Sequence, residues 1–89
     1  MRVTKEMLED LCETINEVTG NPTEPYTMID GKYTPNAGNY HLDWAYGGVG
    51  LQQMCETGSG TRKILGGFFP KRELGELMQA YLQGIREVQ

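Results

Sequence analysis

The chain has 89 residues, of which 38% are hydrophobic and 22% are charged, and its net charge is −4. This composition excludes a disordered or fibrous protein, and the length predicts a single domain, residues 1–89. No apolar run approaches the roughly 20 residues that a membrane helix needs, and the N-terminus lacks the apolar region of a secretory signal. We therefore expect a cytoplasmic protein without a membrane partner.

The charge is unevenly distributed along the chain. Residues 1–30 carry seven acids against two bases, a net of −5, whereas residues 31–89 carry five acids against six bases, a net of +1. A partner of either charge is therefore conceivable, depending on which half it meets.

The first predicted element is an amphipathic helix that Thr4 caps and the Gly20-Asn21-Pro22 turn ends. Its apolar side follows helical spacing and consists of Met7, Leu8, Leu11, Cys12, Ile15 and Val18. Its other side is acidic and consists of Glu6, Glu9, Asp10, Glu13 and Glu17. Such an acidic side is typical of a solvated helix, but it also suits docking to a basic protein surface.

Residues 21–39 contain three of the four prolines and read as a long, turn-rich connection. Within it, Asp30-Gly31 is a favoured hairpin turn, so residues 26–29 and 32–34 are compatible with a short pair of strands.

The segment from Tyr40 onward alternates with the period of a β-strand. We expect its larger side chains, Tyr40, Leu42, Trp44 and Tyr46, to form one buried row. Gly47-Gly48 then predicts a turn, residues 49–55 a returning strand, residues 58–60 a second turn, and residues 61–65 a third strand.

A second amphipathic helix is predicted to open at Pro70, where the missing amide hydrogen costs nothing, and to continue almost to the end of the chain. The predicted fold class is α+β, a helix, a three-stranded antiparallel meander and a helix (α-β-β-β-α), because two amphipathic helices need a sheet face to cover.

The chemistry-bearing residues are few. His41 and Asp43 share the wetter face of the first long strand, where we expect a hydrogen-bonded or solvated pair, since no further ligand or nucleophile converges on them. Cys12 and Cys55 match no metal-ligand spacing and are expected to be reduced and buried. We expect no bound metal, no cofactor and no enzymatic activity.

Three segments of the chain, residues 20–26, 38–48 (GNYHLDWAYGG) and 70–85, carry a resemblance to a protein family. They resemble small uncharacterised proteins encoded by bacteriophages and prophages. The resemblance covers most of the chain, and the family brings no assigned catalytic residues. It implies a small accessory protein that binds, and in many such cases inhibits, a host factor or a host defence component in the host cytoplasm.

The order of elements is also similar to that of the double-stranded RNA-binding domain. In that family a basic pair at the start of the last helix meets phosphates, and Lys71-Arg72 stand at the corresponding place. Arg62 and Lys63 complete an acid-free basic segment. The alternative function is therefore binding of structured nucleic acid, whereas the leading prediction is binding to a host protein; both a monomer and a homodimer stay open.

Overall fold

The computed structural model describes residues 2–55 and 60–88. The elements are two helices and five strands: α1 (Lys5–Thr19), β1 (Tyr26–Ile29), β2 (Lys32–Pro35), β3 (Tyr40–Ala45), β4 (Gly48–Met54), β5 (Thr61–Phe69) and α2 (Lys71–Val88). Strands β3, β4 and β5 form an antiparallel sheet in that order, and β1 and β2 form a separate hairpin. The predicted α+β class, with its meander between two helices, is confirmed.

Both ends of α1 are capped as the sequence predicts. The Thr4 hydroxyl accepts a hydrogen bond from the Met7 amide at 3.2 Å. At the other end Gly20 adopts a positive φ of 73°, and the amides of Gly20 and Asn21 donate back to the carbonyls of Glu17 and Asn16. This arrangement satisfies carbonyls that the end of a helix would otherwise leave without partners.

The turn between β3 and β4 is Tyr46-Gly47, one residue earlier than predicted. Both residues have positive φ, 54° and 72°, as a tight two-residue hairpin turn requires. Gly48 is the first residue of β4 instead. A larger residue would not fit there, because a Cβ would lie 2.9 Å from the carbonyl oxygen of Phe69. The glycine therefore serves the close approach of β5 and not the turn.

Strand β5 is longer than predicted and irregular. It continues past residue 65 to Phe69, with positive φ at Leu65 and Gly66. Its register jumps from the pair Leu51–Ile64 to the pair Val49–Phe69, so residues 65–68 stand opposite one residue of β4. The glycines of this segment read as a strand end in the sequence, whereas in the fold they make a bulge. The predicted turn at 58–60 lies largely outside the described residues.

The core lies between one face of the sheet and the two helices. Its fully buried side chains are Leu8, Ile15, Val49, Leu51, Leu74 and Met78. Gly75 permits α2 to approach the N-terminal part of α1 closely, because a Cβ there would lie 3.3 Å from Val3 and 3.6 Å from Leu8. Among the described residues, neither helix is long and apolar enough to span a membrane.

Only the first two residues of the predicted buried row lie in or against the core. Tyr40 is 6% exposed and Leu42 packs against the core, but Trp44 is 44% exposed and Tyr46 is 92% exposed. The prediction is wrong for the last two residues because Tyr46 lies in the turn and Trp44 lies beside the start of α1, where the Lys5 ammonium is 6.0 Å from the centre of its ring.

We expect Leu51→Ala to lower the free energy of unfolding by about 2 to 5 kcal/mol, since it leaves a cavity in a closed core. Trp44→Ala removes a half-exposed ring and should cost only about 1 to 2 kcal/mol. Urea denaturation followed by circular dichroism measures both. A larger loss for Trp44→Ala would contradict this assignment of the core.

Candidate functional site

Strand β3 is an edge strand, and its backbone alternates in direction. The Met54 amide donates to the Asn39 carbonyl at 2.8 Å, and the antiparallel pairs continue from there to Ala45–Gly48. In an antiparallel ladder every second residue bonds to the neighbouring strand. The amides and carbonyls of Tyr40, Leu42 and Trp44 therefore point away from β4, toward the open edge.

The Asn16 side chain closes this edge at Tyr40. Its Oδ1 accepts from the Tyr40 amide at 2.7 Å and its Nδ2 donates to the Tyr40 carbonyl at 2.8 Å. Asn16 is 1% exposed, and the Cys12 thiol donates to the same carbonyl at 3.2 Å. Beyond this point, in residues 2–55 and 60–88, no group hydrogen-bonds to the outward backbone of Leu42 or Trp44.

An open groove of about 470 Å³ runs between this edge and α1, and we call it the α1–β3 groove. Three carboxylates, Glu9, Glu13 and Glu24, line it together with a single lysine, Lys5. The other lining residues are Cys12, Asn16, Thr23, Tyr40, His41, Leu42 and Trp44. The groove therefore combines an acidic rim with a half-exposed indole ring.

Two titratable side chains on the inner wall of the groove, Cys12 and Tyr40, have raised pKa values. Burial raises the pKa of the Cys12 thiol to about 12. Burial, followed by the hydrogen bond to the Tyr81 hydroxyl, raises the pKa of the Tyr40 phenol to about 12. Both groups hold their protons at neutral pH, so neither presents an anionic nucleophile.

Only part of the predicted acidic face lies at the groove. Glu9 and Glu13 line it, whereas Glu6, Asp10 and Glu17 are exposed elsewhere on α1 and do not. Glu24, which the sequence analysis did not single out, joins from the connection after α1. The Asn36 side chain donates a hydrogen bond to the Glu24 carbonyl at 2.9 Å. Because the two residues are 12 apart in the sequence, no local pattern predicts this contact.

His41 and Asp43 each have a separate partner on the sheet. His41 Nδ1 lies 3.2 Å from Asn39 Oδ1, and Asp43 Oδ2 accepts from Gln52 Nε2 at 2.9 Å. Over the described ranges, no three His, Cys, Asp or Glu residues converge as metal ligands.

The four predicted basic residues form two pairs at the two ends of β5. Arg62 and Lys63 lie near its start and Lys71 and Arg72 follow its end, with the irregular part of the strand between them. Arg62 donates to Gln53 Oε1 at 3.0 and 2.6 Å, and the Lys63 ammonium lies 5.3 Å from the Phe68 ring. Arg72 pairs with Glu76 at 3.6 Å on an exposed surface.

The β1–β2 hairpin is a second exposed feature. Tyr26, Met28, Ile29 and Tyr33 are all exposed, and the register places Met28 opposite Tyr33. No residue of the hairpin enters the buried core.

Comparison with protein-family models, with curated proteins and with solved structures gives no match to this chain.

We expect Asn16→Ala to lower the free energy of unfolding by about 2 to 4 kcal/mol, because it leaves a buried amide and a buried carbonyl with fewer partners. Glu17→Ala, at the neighbouring exposed position, should change it by less than about 0.5 kcal/mol. Chemical denaturation of the two variants makes the comparison. Equal values would show that the Asn16 amide contributes nothing to the junction of α1 and β3.

Proposed function

We propose that this protein is a non-enzymatic binding module that docks a basic segment of a partner protein in the α1–β3 groove. The observation that carries the proposal is the placement of Glu9, Glu13 and Glu24 around the half-exposed Trp44. Tryptophan is enriched among the residues that dominate protein interfaces, and a cleft lined by one sign of charge attracts a partner of the other sign.

The electrostatics of the groove favour a cationic partner. Three carboxylates face one ammonium group, that of Lys5, which already lies 3.9 Å from Glu9. Glu13 and Glu24 have no ion pair within the part of the chain that the structure describes. A lysine or arginine of the partner would therefore find two free carboxylates.

Binding is preferred to catalysis because the buried groups of the groove, Cys12 and Tyr40, stay protonated at neutral pH. The resemblance to small phage and prophage proteins supports a host protein as the partner and the host cytoplasm as the place of action. In that setting the docked segment belongs to a host factor, and occupying it would inhibit that factor.

A peptide that alternates lysine and threonine is a suitable probe, and Trp44, the single tryptophan of the chain, reports its binding by fluorescence. We expect the affinity to fall as salt is raised. Glu13→Lys with Glu24→Lys should weaken binding by about tenfold or more, because both reversals place like charges at the contact.

The matched control is Glu6→Lys with Asp10→Lys, which changes the net charge equally but away from the groove. It should weaken binding much less than the Glu13 and Glu24 pair. Equal losses would mean that only the overall charge matters, and the groove would not be the binding site.

A second candidate function is binding of duplex RNA. Both helices cover one face of the three-stranded sheet, and Lys71 and Arg72 are exposed at the start of α2, as the resemblance to the double-stranded RNA-binding domain requires. The separation of Lys71 and Arg72 from Arg62 and Lys63 weakens this candidate, since affinity for phosphates grows with the number of cations in contact.

Gel-shift titration of duplex RNA at low salt tests this candidate. If RNA binds, Lys71→Glu with Arg72→Glu should abolish the shift, whereas Lys32→Glu, on the hairpin, should change it little. Micromolar binding that the double variant abolishes would make nucleic acid the leading ligand.

A further inference from the structure

We infer that the partner segment binds as an added β-strand along the open edge of β3, pairing with the backbone of Leu42 and Trp44; this inference rests on the proposed function. An edge strand with free amides and carbonyls is a template for another strand. Addition of an extended peptide to such an edge is a general mode of recognition, in which the backbone gives affinity and the side chains give specificity.

The hydrogen-bonding groups of this edge have the spacing of a strand. Leu42 and Trp44 each present one amide and one carbonyl outward, two residues apart, about 7 Å at the rise of an antiparallel strand. An occupant can therefore make four backbone hydrogen bonds.

The contact of Asn16 with Tyr40 shows how a peptide group can hydrogen-bond to the edge of β3. The planar amide of Asn16, with one donor and one acceptor, bonds to Tyr40 as the peptide group of a neighbouring strand would. The same contact fixes where the added strand must stop, because the position beside Tyr40 is already filled.

The opposite edge of the sheet is less suited to strand addition. On β5, Leu65 and Gly66 have positive φ and the register with β4 is broken. Bulges and charged side chains are ordinary means of protecting a sheet edge from pairing. Residues Tyr40–Ala45 of β3 pair with β4 without a break.

Charge identifies the occupant as an extended segment with lysine or arginine at alternate positions. Side chains on one face of an added strand recur at every second residue, and α1 presents Glu9 and Glu13 along that face of the edge. Lys5 shows that a lysine chain fits here, since its ammonium lies 6.0 Å from the centre of the Trp44 ring and 3.9 Å from Glu9.

Amide exchange measured by NMR, with the peptide of alternating lysine and threonine as the probe, tests the inference. At saturation, exchange at Leu42 and Trp44 should slow by about tenfold or more, because bound amides are protected from solvent. The amides of His41 and Asp43 already face β4 and should change little.

Two methylated forms of the probe give an independent test on the unaltered protein. One carries N-methyl groups on every lysine and the other on every threonine. In an added strand only one of these sets of amides faces β3, so only one form should lose affinity, by about tenfold or more.

Trp44→Pro and Trp44→Thr form a matched pair. Both remove the indole, but only the proline removes the outward amide, at an edge position where proline is compatible with a strand. Because both variants lack the tryptophan reporter, their affinities are measured by fluorescence anisotropy of a dye-labelled probe. The proline variant should bind it about tenfold more weakly than the threonine variant.

The outcomes separate the two proposals. Salt-dependent binding that needs Glu13 and Glu24, with unchanged exchange at Leu42 and Trp44 and equal affinity of both methylated probes, would overturn strand addition and leave the proposed function standing. No binding of the probe at low salt would overturn both. Protection of these amides in the free protein that grows with its concentration would identify a second copy as the occupant and overturn the inference.

Discussion

The bidentate contact between the Asn16 side chain and the Tyr40 backbone is the constraint on which the rest of the molecule depends. It is buried, and it links the last turns of α1 to the beginning of β3. Because the helix is rigid, the Asn16 contact at its end and the burial of Leu8 in its earlier part together fix the position of every turn. Lys5 consequently lies over Trp44, and Glu9 and Glu13 lie along the edge of the strand.

The chemistry of asparagine suits this position. A buried amide or carbonyl without a partner is costly, and the asparagine side chain is short, planar and uncharged, with one acceptor and one donor group at its end. It satisfies both groups of Tyr40 without bringing a charge into the core. The same residue therefore holds the helix on the sheet and leaves the remainder of the edge open.

Local patterns were sufficient for much of the fold. Residues close together in the sequence predict the cap at Thr4, the end of α1 at Gly20 and the turn at Asp30-Gly31. The structure confirms α1 and the β1–β2 hairpin. The alternation from Tyr40 likewise predicts β3. These signals depend only on the spacing of neighbours along the chain.

The errors arise where distant segments meet. Gly48 is predicted to be a turn residue because its approach to Phe69 across the sheet is not visible in the sequence. Trp44 is predicted to be buried because the position of the start of α1 beside it is not visible either. Glu24 enters the groove through a loop held by Asn36. Asn16 stands next to Ile15 on the apolar side of α1, and a polar residue on that side is a signal that the sequence analysis did not use.

The β1–β2 hairpin is closed at its base by hydrogen bonds and contributes no side chain to the buried core. At that base Asn36 donates to the carbonyls of Pro25 and Glu24 and bonds to the Thr27 hydroxyl. Two-stranded hairpins are marginal on their own, so this one forms a separate, weaker cooperative unit whose opening leaves the sheet and helices intact. Since Glu24 stands at its base, opening of the hairpin also loosens one acidic wall of the groove.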